Sequence, residues 1–228
     1  PYLDSCTKGL APETLSTFIT GTGVGKTFIQ VLIGANAVLQ GYSVLQGLTE
    51  MSSEQMRDRY EMVLFAKMMN MPMDANLFKS GKLDGKMKRA YFKFLDEFMP
   101  KINLPMFTAT SPMQVEANVE KYKPDLLMVD GAYLMADDEN ADSDWLRIAH
   151  ITRDLKRMAK RRKIAVMINS QADKNTSKKT GPELGDISFS QAIGHDSDNV
   201  FGAYRTDQMR ADRELCIKIL KNREGGGG

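Results

Sequence analysis

From Thr17 to Ile33 the chain reads Thr-Phe-Ile-Thr-Gly-Thr-Gly-Val-Gly-Lys-Thr and then Phe-Ile-Gln-Val-Leu-Ile. No other stretch restricts the fold as much. A β-branched and aromatic strand signal passes through glycines into Gly-Lys-Thr and on into an apolar helical run. Small residues there let backbone N–H groups wrap an anion, and a Lys at the helix start meets the terminal phosphates of a nucleotide such as ATP. Gly21, Thr22, Gly23, Val24 and Gly25 would supply the backbone, Lys26 the charge, and Thr27 a hydroxyl for Mg²⁺. Thr20 stands where the motif's first glycine falls, which a β-branched residue tolerates only if its φ stays negative. Gly-Lys-Thr alone is a weak signal; the added glycines and the strand-to-helix setting make it specific.

The rest of the chain reads as further α/β units. After residues 1–16, an irregular lead-in, the spacing predicts a strand into the loop and a helix over 27–40 ended by Gly41. A buried strand over 42–48 completes a βαβ unit. Ser52 or Ser53 is placed to cap a helix running to about 70, with Gln55 closing a capping box and Met56, Tyr60, Val63 and Leu64 on its inner stripe. A turn over 74–77, a helix over 84–98 stopped by Pro100, a short strand over 104–108 and a helix opened by Ser111-Pro112 follow. Asp144 can cap a helix over 145–162 striped with Ile148, Ile151, Leu155 and Met158. A strand over 164–169 then leads through Ser170-Gln171 into a polar loop over 172–188, and strands over 199–204 and 214–220 come last. The whole is expected to be one α/β domain with a mostly parallel, twisted central sheet flanked by helices.

Between these lies an apolar strand over 123–130 that ends in a carboxylate, Asp130. At a strand's carboxyl end beside a phosphate loop, such a group would hold Mg²⁺ through its water shell. A lone strand-ending Asp before a glycine can also merely shape a turn; the upstream loop favours the metal role.

Composition narrows the partners less. Lys and Arg number 31 against 29 Asp and Glu, so a nucleic-acid contact must come from a local basic surface. The two cysteines, Cys6 and Cys216, have no metal-binding or disulfide spacing. No apolar run approaches the ~18 residues of a membrane span. A reduced, cytoplasmic setting is expected.

Taken in order, these features resemble the RecA-like motor domain of the DnaB family of replicative helicases, P-loop nucleotide hydrolases that include phage members. Thr49-Glu50-Met51-Ser52-Ser53-Glu54-Gln55 is similar to the family's Glu-Met-x-x-Glu-Gln element. Leu127 to Met135 is similar to its Walker B segment, Ile168-Asn169-Ser170-Gln171 to its Ser-Gln strand end, and Lys221-Asn222-Arg223 to its Lys-x-Arg. The resemblance implies that Glu50, at the end of the strand next to the phosphate loop, polarises the attacking water. It implies that Gln171 senses the γ-phosphate, that Arg59 supports the nucleotide site, and that Lys221 and Arg223 reach a neighbour's nucleotide. A homo-oligomeric, hexameric ring follows from that last role, with single-stranded DNA in its channel and a primase or helicase loader as partner. Lys174, Lys178 and Lys179, in the loop after Gln171, are placed to hold the DNA. Ser188-Phe189 stands where many members carry an Arg-Glu pair, so Ser188 takes the DNA-facing position. The family's N-terminal helical domain and linker helix have no counterpart, and Gly225 to Gly228 replace an expected Gly-Pro and final strand; the chain is expected to be a fragment. Lys-Asn-Arg also resembles a RadA-like branch-migration motor, and a regulatory ATPase scaffold of the same fold is a third reading.

Overall fold

Strands buried on both faces favour apolar runs over alternation, and the runs over 44–48, 126–129 and 165–168 fit that demand apart from the buried Gln46. A computed structural model describes residues 6–139, 141–171, 190–223 and 225. In chain order they form β1 (Leu15–Thr20), α1 (Lys26–Leu39), β2 (Val44–Leu48), α2 (Ser53–Met69), α3 (Ala75–Lys79), α4 (Gly85–Glu97) and β3 (Met106–Thr108). Next come α5 (Pro112–Tyr122), β4 (Leu126–Asp130), a 3-10 turn (Ala132–Leu134), α6 (Asp144–Arg162) and β5 (Ala165–Gln171). The series closes with α7 (Ser190–Asp196), β6 (Asn199–Tyr204), α8 (Asp207–Ala211) and β7 (Cys216–Asn222).

The strands make one seven-stranded sheet in the order β3-β2-β4-β5-β1-β6-β7. Every described neighbour pair is parallel except β6 with β7. Side chains alternate between the faces. Leu127 and Val129 of β4 pack with Val115 and Val119 of α5 and with Ile151, Leu155 and Met158 of α6. Leu126 and Met128 point the other way, into a layer with Ile29 of α1, against which Ile33 and Val38 also pack. Beyond it α2 and α4 add Met56, Tyr60, Leu64, Phe65 and Phe94 around Val31 and Ala35 of α1.

The local punctuation follows elementary rules. Ser52 Oγ accepts from Gln55 N at 3.3 Å while Gln55 Oε1 accepts from Ser52 N at 3.3 Å, the expected capping box. Ser111 caps α5 with Pro112 in its first turn.

Several expectations need correction. Ser143, not Asp144, caps α6: its Oγ accepts from Leu146 N at 3.3 Å, and Asp144 becomes the first helical residue, bonded to Arg147 at 3.0 Å. The turn expected over 74–77 is the start of α3, because Asp74 accepts from the amides of Asn76 and Leu77 and caps a helix. β4 begins at Leu126 because Lys123 sits in the left-handed C-cap of α5. α7 and α8 were expected neither as helices nor as caps, and β7 runs on to Asn222 instead of ending at 220. Finally, β4 and β5 lie between β2 and β1, so Glu50 does not follow the strand next to the phosphate loop. It reaches that loop along the carboxyl edge of the sheet.

Candidate active site

Parallel register brings the strand ends to one edge: Leu48 pairs with Asp130, and Thr20 with Gln171 and Ala203. The residues just past those ends, together with the start of α1, build the site.

Thr20 closes β1, buried and paired on both sides. It is absent from the residues with positive φ, so the β-branched side chain fits where the motif usually has glycine. The chain then turns to Gly25, which caps α1 with φ 111° and offers no side-chain acceptor to the first-turn amides. That left-handed conformation is open to glycine at little cost, and the uncapped N–H groups with the helix dipole favour an anion in front of them.

Thr27 Oγ1 donates to Asp130 Oδ2 at 3.0 Å, and Asp130 is fully buried. Its other oxygen accepts from Asn169 Nδ2 at 3.1 Å, and that amide also donates to Gln30 Oε1 at 3.0 Å. Thr49 Oγ1 donates to the Asp130 carbonyl at 2.5 Å, tying the end of β2 to the end of β4. A hydroxyl beside a fixed carboxylate is a hard oxygen pair. Among the described residues no group of three or more His, Cys, Asp and Glu is placed to hold a metal ion by itself. Thr27 and Asp130 would hold a divalent cation here, with phosphate oxygens and water as its other ligands, which would suit an ion that dehydrates reluctantly. The residues present fit a nucleotide with a divalent cation.

Next to this pair, Lys26 Nζ lies 3.1 Å from Glu50 Oε1. The same oxygen accepts from the Tyr133 hydroxyl, which is also 3.4 Å from Gln171 Oε1. Gln171 Nε2 donates to Thr22 Oγ1 in the loop at 2.6 Å. The Lys26 ammonium stands 5.1 Å from the Tyr133 ring centroid. Partial burial pushes the Glu50 carboxyl up, but the Tyr133 hydroxyl and Lys26 outweigh it and hold the group below the ordinary carboxylate value. Burial, then Glu50 itself, push the Tyr133 hydroxyl well above its ordinary value. The carboxylate is thus ionised and the phenol protonated at neutral pH.

Thr22, Lys26, Thr27, Glu50, Asp130 and Gln171 are therefore brought together. Arg59 lies half-buried on α2, and among the described residues no hydrogen bond or ion pair joins it to this cluster. Lys221 and Arg223 are elsewhere. The antiparallel register sets Lys221 opposite Val200 at the start of β6, the end of the sheet away from the phosphate loop. There Lys221 Nζ donates to the carbonyls of Gly194 and Ser197, both at 2.7 Å, and burial, with Arg223 next, lowers its pKa. Arg223 Nη1 donates to Asp198 Oδ1 at 2.8 Å. Lys174, Lys178, Lys179 and Ser188 lie outside the described residues.

Tyr133, Asn169 and Thr49 carry contacts that the sequence reading assigned to no one. Asn169 had a signal of its own, a polar residue inside an otherwise apolar buried strand; Tyr133 had none beyond closeness to Asp130.

The chain matches the family model described as DnaB-like helicase C terminal domain over residues 1–228. Among solved structures it is similar to an ATPase domain at TM-score 0.87 and 20% identity, covering 100% of this chain and 83% of that one. It is also similar to a DnaB-like replicative helicase, solved for its interactions with primase, at TM-score 0.86 and 20% identity. This chain spans 56% of that helicase's length. At such identity the two likenesses show the fold, and the family match carries the assignment: this chain belongs to the DnaB-like helicase C terminal domain family, and with it to the ATP-hydrolysing helicases.

Proposed function

We propose that the chain is the ATPase motor of a ring-shaped, hexameric replicative DNA helicase that moves along single-stranded DNA, with Mg²⁺ as its metal. The observation that carries the reading is the contiguous cluster along the carboxyl edge of the sheet, from Thr22 through Gln171, Tyr133 and Glu50 to Lys26, beside the Thr27–Asp130 pair. The loop amides of 21–27 and Lys26 bind the phosphates. Thr27 and Asp130 hold the metal, which neutralises charge on the phosphates when bound. Lys26 exchanges Glu50 for the phosphates, and Glu50 then orients the water as general base. Gln171 reads the γ-phosphate and immediately precedes in sequence the segment bearing Lys174, Lys178, Lys179 and Ser188, to which we assign the DNA. Arg59 supports the nucleotide from α2.

Lys221 and Arg223 act in trans on a neighbour's nucleotide. Their position at the far end of the sheet from their own phosphate loop supports that role, and a closed ring gives every loop such a neighbour. A primase or loader is the further partner we propose, since the similar helicase was solved for its interactions with primase.

Native mass spectrometry with an ATP analogue and single-stranded DNA, joined to ATPase assays with and without DNA, tests this. Hexamers that bind DNA and hydrolyse faster with it are expected, with affinity falling with salt at a slope of about −0.7 per phosphate contacted. Joint replacement of Lys174, Lys178 and Lys179 by Ala flattens that slope if the segment grips phosphates. Monomers that hydrolyse ATP without regard to DNA overturn the motor reading and leave a regulatory ATPase.

A further inference from the structure

Glu50 carries out its proposed task only after losing the partner it has now. Lys26 holds it at 3.1 Å, and Lys26 is also the group that must turn to the phosphates. A carboxylate left without its ammonium needs another donor to keep one orientation, because a flexible Glu side chain has several rotamers to choose from. One such donor stands beside it, the hydroxyl of Tyr133.

That hydroxyl is held from both sides. The turn Ala132–Leu134 starts at Gly131 with φ 77°, where a Cβ would fall 3.0 Å from Glu50 Oε1 and 2.4 Å from Thr49 Oγ1. The turn thus lies flat against the Glu50 side chain. From the other side, Arg147 Nη1 of α6 donates to the carbonyls of Tyr133 at 2.9 Å and Met135 at 2.7 Å, clamping the turn's backbone. The ring faces Lys26 and its hydroxyl stands between Glu50 and Gln171.

We propose that Tyr133 is a positioning residue for hydrolysis: its hydroxyl, whose single proton goes to Glu50, keeps hold of that carboxylate when Lys26 turns to the phosphates. A neutral phenol suits this task better than a second cation would, since it orients the carboxylate without cancelling the charge the base needs. The ring, meanwhile, gives the Lys26 ammonium an electron-rich face that tolerates its movement. The inference rests on the assignment of Glu50 as the base.

Tyr133→Phe separates the two parts of the side chain, since it keeps the ring under Lys26 and removes only the hydroxyl. The expected result is a kcat lower by about 10- to 100-fold, the size of losing one hydrogen bond to a charged group. KM and the affinity for a non-hydrolysable ATP analogue stay within about twofold, because ground-state binding does not use the hydroxyl. A direct binding measurement reads the same difference: affinity for ADP with aluminium fluoride, which imitates the reacting phosphoryl group, falls while affinity for the analogue does not. Glu50→Gln is measured alongside. If Glu50→Gln retains the parent rate, the base assignment itself fails and this inference with it. If Glu50→Gln is inactive and Tyr133→Phe keeps full kcat, the role of Tyr133 alone is overturned. Equal losses in kcat and in analogue affinity for Tyr133→Phe would make the residue a structural wall, and that too overturns the proposal.

Discussion

Gly34→Ala should destabilise the protein even though alanine is the better helix former. Gly34 sits inside α1, where exchange for Ala normally stabilises a helix by about 1 kcal/mol. Here a Cβ would lie 2.3 Å from the Tyr60 hydroxyl oxygen and 3.0 Å from Met128 Sδ, well inside ordinary contact. Overpacking of this kind costs about 1–3 kcal/mol. If the Tyr60 ring yields, it also gives up its hydrogen bond to Gln46 Oε1 at 2.9 Å. Both side chains are buried, so the lost bond adds about 1–3 kcal/mol. The net expectation is a loss of about 1–5 kcal/mol after the helix gain is subtracted. Urea unfolding followed by circular dichroism reads this as a lower midpoint at unchanged slope. In the double variant Gly34→Ala/Tyr60→Phe the clashing atom is gone, so the two changes should cost less together than their sum. The site should feel the change as well. α1 begins with Lys26 and Thr27, and its separation from β4 sets the 3.0 Å contact between Thr27 and Asp130. A Gly34→Ala protein as stable as the parent, or a strictly additive double variant, would refute the packing argument.

Asp198→Asn should lower stability at neutral pH by about 2–3 kcal/mol, less than the full cost of breaking a buried pair because Arg223 is half exposed and Asn still accepts from the Leu15 amide. Burial raises the Asp198 pKa, but Lys156, the Leu15 amide and Arg223 outweigh it and hold the group below its ordinary value. Its contribution is therefore present above the unfolded pKa of about 3.9 and is lost as pH falls through the lower folded value. The gap between parent and variant should close below about pH 4, and a gap constant from neutral to acid pH would refute the ionic reading. Arg223→Ala subunits mixed with Lys26→Ala subunits should hydrolyse ATP faster than the weighted sum of the two alone, since each supplies what its neighbour lacks. Assembled mixed rings that never exceed that sum would remove Arg223 from the neighbour's site.

What the sequence makes legible here depends on how far a residue's role reaches. The phosphate loop is local: glycines, Lys26 and Thr27 adjoin in the chain, and their side-chain types alone dictate the turn and the anion site. The apolar runs of β4 and β5 are equally local, since burial on both faces demands them wherever the strands end up. Glu50 and Asp130 are a step further. Their identity as strand-end carboxylates is readable, but the sheet order is not, and with it went the mistaken idea that Glu50 ends the strand next to the phosphate loop. Tyr133 and Asn169 are further still, because each becomes important only through a neighbour on another strand: Glu50 for one, Asp130 for the other. The short helices α7 and α8 fail the reading for a related reason. Too few residues repeat for a period to show, and α7 is held by packing of Ile193 against Ile19, Ile148 and Val200 rather than by its own propensity. Lys221 and Arg223 extend the series by one step, for within the chain they satisfy α7 carbonyls and Asp198, contacts that account for their charge without any catalysis. The role proposed for them on a neighbour's nucleotide therefore leaves no mark within one chain, and only an experiment that pairs subunits can test it.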